Sequence, residues 1–173
     1  MSTRATIILK DEYHQLYFYR HSDGYPEVTG ESLKQFMKWL EQGYLRKNVS
    51  QAGGWLILLG MQEYADKFTD VELFPGPICT FKQRWEAYQT ITELEKPNVR
   101  LMNITPEKDW EIGAYEPATG ISGDTEYVYV IDLAQGTLEG RDVPFDVEEH
   151  AVAQCPLVYS YQVQDPKYTE RIV

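Results

Sequence analysis

The alternation of apolar and polar residues predicts that the chain opens with a β-hairpin. Residues 4–10 and 14–20 are rich in β-branched and aromatic residues, and a short polar connection, residues 11–13, separates them. This composition and spacing are typical of two antiparallel strands joined by a tight turn. The segment 21–26 then ends the second strand, because an Asp-Gly pair followed closely by proline is turn chemistry.

Two helices are predicted after the hairpin. Apolar residues recur there at helical spacing and form one stripe, at Leu33, Phe36, Met37, Leu40 and Tyr44. We therefore expect a first helix near residues 31–46. A second helix is expected over residues 49–68, which are apolar on nearly all sides, and Asn48 with Gln51 at its start resembles a capping box.

The later strands complete the predicted fold. Residues 126–132 are predicted to form a strand, because β-branched and aromatic residues run unbroken between Glu126 and Asp132. A turn at residues 134–136 leads into a partner strand at 137–143, and residues 157–163 are predicted as a last strand. Residues 70–123 carry no clear pattern. We expect a single domain over residues 1–173, of the α+β class, in which a largely antiparallel sheet with an N-terminal β-hairpin packs against two helices.

Composition limits the compartment and the cofactors. The chain has 173 residues, 43% hydrophobic residues and two cysteines, Cys79 and Cys155, which are too few for a disulfide framework. Its start lacks the apolar region of a signal peptide, and its longest apolar run, residues 55–59, is too short to span a bilayer. The expectation is a cytoplasmic protein with no cofactor and no metal, since no ligand spacing for either occurs.

Charge is concentrated in one segment. Of the eleven net negative charges, ten fall within residues 107–149, which hold twelve acidic residues against Lys108 and Arg141. Such a field repels nucleic acid and anionic membranes and attracts basic surfaces, so the expected partner is a basic protein surface. The alternative is a solvated face that serves solubility alone. The residues expected to make the contact are Asp124, Glu126, Asp142, Asp146, Glu148 and Glu149.

Three blocks of sequence carry a resemblance. Residues 1–7 (Met-Ser-Thr-Arg-Ala-Thr-Ile), 19–27 (Tyr-Arg-His-Ser-Asp-Gly-Tyr-Pro-Glu) and 123–129 (Gly-Asp-Thr-Glu-Tyr-Val-Tyr) together resemble an uncharacterised family of small phage and mobile-element proteins. The resemblance implies a protein that binds a host or defence component. The leading hypothesis is therefore a non-enzymatic binding protein that inhibits a host defence, in the manner of an anti-CRISPR, or a nucleic-acid-handling protein, through residues 107–149. The sequence leaves its oligomeric state open.

Two other functions are considered. Ser2 followed by a strand, with Arg20 and Asp23 on the next one, resembles the N-terminal nucleophile hydrolases, in which a free α-amine activates the side chain next to it. This chain departs from the bile-salt hydrolases and penicillin acylases of that class, because they use cysteine at this position and are much longer. The second alternative is a module that binds a nucleotide or metabolite in a pocket between the sheet and the second helix, lined by Trp55 and tyrosines.

The segment around His21 and Asp23 has two interpretations. The pair is a general base with its orienting carboxylate, or two metal ligands. Alternatively the segment is a structural corner, in which the Asp23 carboxylate caps the turn and Gly24 adopts a positive φ. No third catalytic or metal-binding partner occurs nearby in the sequence. The corner is therefore the preferred interpretation.

Overall fold

The computed structural model describes residues 2–68, 113–164 and 168. Two compact units make up the chain, one of Met1–Ile57 with Tyr115–Val173 and one of Leu58–Ala114. The first unit holds the whole sheet. In the second, the residues described are 58–68 and 113–114, and expectations for residues 70–112 lie outside the described part. The single domain over residues 1–173 stays a prediction.

A six-stranded mixed sheet forms the centre of the first unit. Its strands are β1 (Ala5–Lys10), β2 (Gln15–Arg20), β3 (Glu116–Ala118), β4 (Tyr127–Asp132), β5 (Thr137–Asp142) and β6 (Leu157–Gln162). They lie in the order β3-β2-β1-β4-β5-β6. Four neighbouring pairs are antiparallel, and β1 with β4 is the parallel pair. The predicted α+β class, with a largely antiparallel sheet and an N-terminal hairpin, is confirmed.

The first helix, α1 (Glu31–Glu41), is shorter than the predicted 31–46. Gly43 has a φ of 81°, and its N–H donates to the Leu40 carbonyl, while the N–H of Tyr44 donates to the Trp39 carbonyl at 2.9 Å. These are the two bonds of a Schellman motif, in which a glycine with positive φ closes the last turn of a helix. Tyr44 therefore lies beyond the helix and is exposed, contrary to its place in the predicted stripe.

The second helix, α2 (Val49–Phe68), begins where the sequence predicts. The Asn48 side chain accepts a hydrogen bond from the Gln51 N–H at 2.9 Å, which is the expected cap. Gln51 does not return the bond to Asn48, as a full capping box requires, but accepts from the N–H of Arg46 at 2.9 Å. Within the described part of the chain, no helix has the length and apolar character needed to cross a membrane.

The two faces of the sheet are covered differently. One face carries Ile7, Phe18 and Tyr129, and we call it the helical face because α1 and residues 49–57 of α2 pack on it. The bare backbone of Gly53, for instance, lies against Leu16 and Phe18. We call the other face, which carries Ile8, the open face. There a smaller cluster of Ile8, Val128, Val143 and Val152 is covered by the 3₁₀ helix Glu149–Gln154.

Candidate functional site

Four of the six predicted contact residues lie at one end of the β4–β5 hairpin. Asp124 and Glu126 come just before β4 begins, Asp142 is the last residue of β5, and Asp146 follows four residues later. Asp124, Asp142 and Asp146 are exposed, and Glu126 is half-buried. Because β4 and β5 are antiparallel, the start of one strand and the end of the other meet at the same edge.

Backbone hydrogen bonds join the two loops that carry these acids. The Asp146 N–H donates to the Gly123 carbonyl at 2.9 Å, and the Val143 N–H donates to the Glu126 carbonyl at 2.9 Å. Asp146 has a φ of 58°, a conformation that aspartate tolerates better than most residues. A Cβ at position 123 would lie 2.6 Å from the Asp146 carboxylate, so Gly123 allows this close approach. The spacing of the acids is therefore set by the fold.

Arg4 lies against two of the acids. Its Nε is 3.0 Å from the Asp124 carboxylate, and its backbone N–H donates to Glu126 at 3.4 Å. Both partners of the ion pair are substantially exposed, so the pair adds little stability. Among the residues described by the structure, Asp142 and Asp146 have no ion-pair partner. Their charges are therefore not neutralised within this part of the chain.

Sequence analysis missed a fifth acid at this end. Glu27 lies on the single π-helical turn Pro26–Gly30 and is exposed. Partial burial raises the pKa of Tyr127 above its ordinary value, and the carboxylates of Asp142, Glu27 and Glu126 raise it further. All three acids therefore act on one tyrosine hydroxyl. No sequence signal marks Glu27, since about 100 residues separate it from the others.

We refer to this set of five residues as the acidic end, which consists of Glu27, Asp124, Glu126, Asp142 and Asp146.

The two remaining predicted contact residues lie apart from these. The Glu148 carboxylate lies 3.3 Å from Nδ1 of His150, and both side chains are exposed. Glu149 accepts hydrogen bonds from the Tyr17 hydroxyl and from the Gln15 side chain, and its bond raises the pKa of Tyr17 above the ordinary value. Within the described residues, no side-chain hydrogen bond or ion pair links either glutamate to the acidic end.

The residues of the hydrolase hypothesis lie on neighbouring segments. The Ser2 and Ser22 hydroxyls are 3.4 Å apart. Arg20 is buried and donates from Nε to the Ser22 carbonyl at 2.8 Å, while the Asp23 carboxylate accepts from the Tyr25 hydroxyl at 3.3 Å. The described contacts therefore bring Ser2 to Ser22, and link Arg20 and Asp23 to other groups. A catalytic role for Ser2 stays a prediction.

The corner that joins the hairpin to α1 is formed differently from the prediction. Asp23, and not Gly24, adopts the positive φ, at 57°. Gly24 instead donates its N–H to the Thr3 carbonyl at 2.9 Å, and a Cβ there would lie 2.9 Å from the Cβ of Ala5. Glycine is therefore required at this position by lack of space against β1. The Thr29 hydroxyl donates to the Asp23 carbonyl at 2.7 Å and fixes the turn from its other side.

A groove of about 350 Å³ crosses the open face of the sheet. Ile8 and Val130, which are paired in the β1–β4 register, form its floor, and Val152 and Ala153 of the 3₁₀ helix form a wall. The pocket of the small-molecule hypothesis was expected against the second helix near Trp55. The groove lies on the opposite face, while the Trp55 ring packs edge-on against Trp39 at 6.5 Å.

Five charged side chains line this groove: Lys10, Asp132, Glu139, Arg141 and Glu149. Lys10 lies 3.9 Å from Asp132, and Arg141 lies 2.6 Å from Glu139, so four of the five charges pair with one another. Within the described residues, no group of three or more His, Cys, Asp or Glu side chains is placed to hold a metal ion.

Comparison with known proteins found no match for this chain. No protein-family model matches the chain. No curated protein and no solved structure is significantly similar to it.

Proposed function

We propose that this is a non-enzymatic binding protein whose acidic end contacts a basic protein surface. The observation that carries the proposal is the convergence of Asp124, Glu126, Asp142 and Asp146 in two loops joined by backbone hydrogen bonds, with Glu27 added from a distant segment. Acids fixed in this way differ from a flexible acidic tail, because they present charges at set positions to a partner.

The resemblance of residues 1–7, 19–27 and 123–129 to phage and mobile-element proteins supports a partner of host origin. Such a partner would be a defence protein or a nucleic-acid-handling protein with a basic groove. Carboxylates at fixed spacing suit this role, because a nucleic-acid groove is lined with lysine and arginine that otherwise meet phosphates. The acidic end would then block the groove by imitating that charge.

The proposal is tested with a charge-reversal variant and a matched control. The variant Asp124→Lys with Asp142→Lys raises the net charge by four at the acidic end. The control Glu12→Lys with Glu148→Lys raises it by the same four at exposed positions outside it. Both variants therefore have a net charge of −7 instead of −11, so they differ only in where the charge lies.

The probe is a lysine- and arginine-rich peptide of about 20 residues, with association rates measured by surface plasmon resonance from low to physiological salt. We expect the wild type to bind with an on-rate that falls steeply with salt. The acidic-end variant should lose at least tenfold in affinity, and the control should lose less than threefold. Equal losses in the two variants would show that net charge alone attracts the peptide, and the proposed surface would be wrong.

Host partners are then identified by comparison of affinity capture from a bacterial lysate with the wild type and both variants. A partner retained by the control and lost by the acidic-end variant is the one the proposal predicts. Thermal melts of both variants accompany the capture. The loss of the exposed Arg4–Asp124 pair should cost about 1 kcal/mol or less.

A further inference from the structure

The groove on the open face contains one charge that has no oppositely charged partner among the residues that the structure describes. Lys10 and Asp132 form one pair, and Arg141 and Glu139 form another. Arg141 also donates to the Cys155 carbonyl at 2.8 Å, so its guanidinium is held on two sides. Glu149 is the remaining ionised group in the lining.

The partners of Glu149 are neutral donors. The Gln15 amide donates to one carboxylate oxygen at 3.0 Å, and the Tyr17 hydroxyl donates to the other. Both donors lie on β2, so they hold the carboxylate over the sheet without removing its charge. A carboxylate oriented by neutral donors remains an acceptor for a cation.

The floor beside this carboxylate is apolar. Ile8 is 4% exposed, Val130 is half-buried next to it, and Val152 closes the wall. A groove of about 350 Å³ is at the small end of the range of ligand sites. The size and lining of the groove therefore suit a ligand with a short aliphatic chain and a charged group at one end.

We propose that this groove binds an ammonium group carried on a short aliphatic chain, with the ammonium at Glu149 and the chain over Ile8 and Val130. A phosphorylated or carboxylate ligand fits less well, because Asp132, Glu139 and Glu149 together outnumber Lys10 and Arg141. The ammonium belongs to a free primary amine or to the side chain of a lysine. The site does not include the acidic end, so the inference goes beyond the proposed function.

Three small probes of nearly equal size test the charge preference. They are n-pentylammonium, the neutral 1-pentanol and the anionic hexanoate, each titrated into the full chain and followed by amide NMR shifts. We expect n-pentylammonium to bind with a dissociation constant on the order of 1 mM, a realistic value for so few atoms. The shifts should centre on Lys10, Val130, Glu149 and Ala153. Pentanol should bind at least tenfold more weakly, and hexanoate should not bind.

Two neighbouring glutamates supply a matched pair of variants. Glu149→Gln removes the charge in the groove but keeps an acceptor oxygen for Tyr17, and we expect it to weaken n-pentylammonium at least tenfold with pentanol unchanged. Glu148→Gln makes the same change in net charge one residue away, where the side chain lies beside His150 and does not line the groove. It should leave binding of both probes within twofold of the wild type.

A fourth probe separates the two sources of the ammonium. Nα-acetyl-lysine methylamide carries the same aliphatic ammonium on a peptide backbone. Binding as tight as that of n-pentylammonium would assign the groove to lysine side chains, and weaker binding would assign it to free amines. The Asp124→Lys with Asp142→Lys variant should bind n-pentylammonium normally, so failure of one proposal does not affect the other.

Three results would overturn the inference. They are equal affinity for n-pentylammonium and pentanol, equal effects of Glu148→Gln and Glu149→Gln, and shifts confined to residues outside the groove. Both glutamates are exposed, so each variant should keep the melting temperature of the wild type, and this is measured alongside the titrations.

Discussion

The Tyr129 hydroxyl donates a buried hydrogen bond of 2.7 Å to the carbonyl of Gly24, a residue 105 positions earlier in the chain. Tyr129 lies in the central part of the sheet and Gly24 in the corner that leads to α1. Burial raises the pKa of Tyr129 well above its ordinary value, so the hydroxyl remains protonated and able to donate. This bond fixes the corner to the sheet.

Removal of that hydroxyl should destabilise the protein. Tyr129→Phe leaves the buried Gly24 carbonyl without this donor, and we expect a loss of about 1–3 kcal/mol in the free energy of unfolding. Urea unfolding followed by circular dichroism gives the value. Tyr127→Phe is the control, because it removes a hydroxyl from a half-buried tyrosine two residues away, and it should change the free energy by less than about 0.5 kcal/mol. Similar losses in the two variants would contradict a specific role for the Tyr129–Gly24 bond.

The space beside Gly24 can be tested with two glycine substitutions. A Cβ at position 24 meets Ala5 and the backbone before β1 at 2.9 Å, so Gly24→Ala should cost about 1–3 kcal/mol through overpacking. Gly54 lies on the exposed side of α2, where a Cβ would have no neighbour within 4 Å, and Gly54→Ala should stabilise the protein by about 0.5–1 kcal/mol. Chemical denaturation of both variants measures the two effects. If Gly24→Ala left the free energy of unfolding unchanged, the corner would be able to shift and accommodate the methyl group.

The positive φ of Asp23 allows the structural interpretation of the corner to be distinguished from the catalytic one. Asparagine tolerates this conformation and alanine does so less well, so Asp23→Asn should be nearly neutral and Asp23→Ala should cost about 1 kcal/mol. The hydrolase hypothesis instead predicts a stable and inactive Asp23→Asn. Thermal melts measure the stability of the variants, and an amide hydrolysis assay measures their activity. An intact-mass measurement shows whether Met1 has been removed. Retention of Met1 would exclude a free Ser2 amine.

The carboxylate of Asp11 should make stability depend on pH. Partial burial acts to raise the pKa of Asp11, but hydrogen bonds from the Tyr13, Val49 and His14 N–H groups outweigh it and hold the pKa below its ordinary value. Because the folded-state pKa is depressed, the stabilisation is present above the unfolded-state pKa and is lost as pH falls through the folded-state pKa.

Asp11→Ala is therefore expected to cost about 1–2 kcal/mol near pH 7, as the loss of a helix cap does. The difference from the wild type should shrink as the pH falls below about 4, where the carboxyl of the unfolded chain is protonated. Urea unfolding at pH 7 and pH 3 gives the comparison. His14→Ala, which keeps the carboxylate and its backbone partners, serves as the control. A difference that does not change with pH would rule out the carboxylate as its source.

The sequence by itself determined the two α-helices and five of the six strands in the described part of the chain. The short β-branched and aromatic run at 127–131 favours a strand, and the stripe from Leu33 to Leu40 has the 3.6-residue period of a helix. The end of α1 was also encoded, since Gly43 is the residue that a Schellman motif favours, although the apolar Tyr44 extended the predicted helix past it.

Only the tertiary structure decided which distant segments meet. Strand β3 has three residues and contains Pro117, so no local pattern predicts it, and it exists through its pairing with β2. The parallel pairing of β1 with β4 places Ile8 beside Val130 and so forms the floor of the groove. In the same way Glu27 comes near enough to Tyr127 for its charge to act on the same hydroxyl as Asp142 and Glu126, about 100 residues away. These arrangements depend on register and strand order, which arise from packing of the whole chain and leave no periodic trace in the sequence.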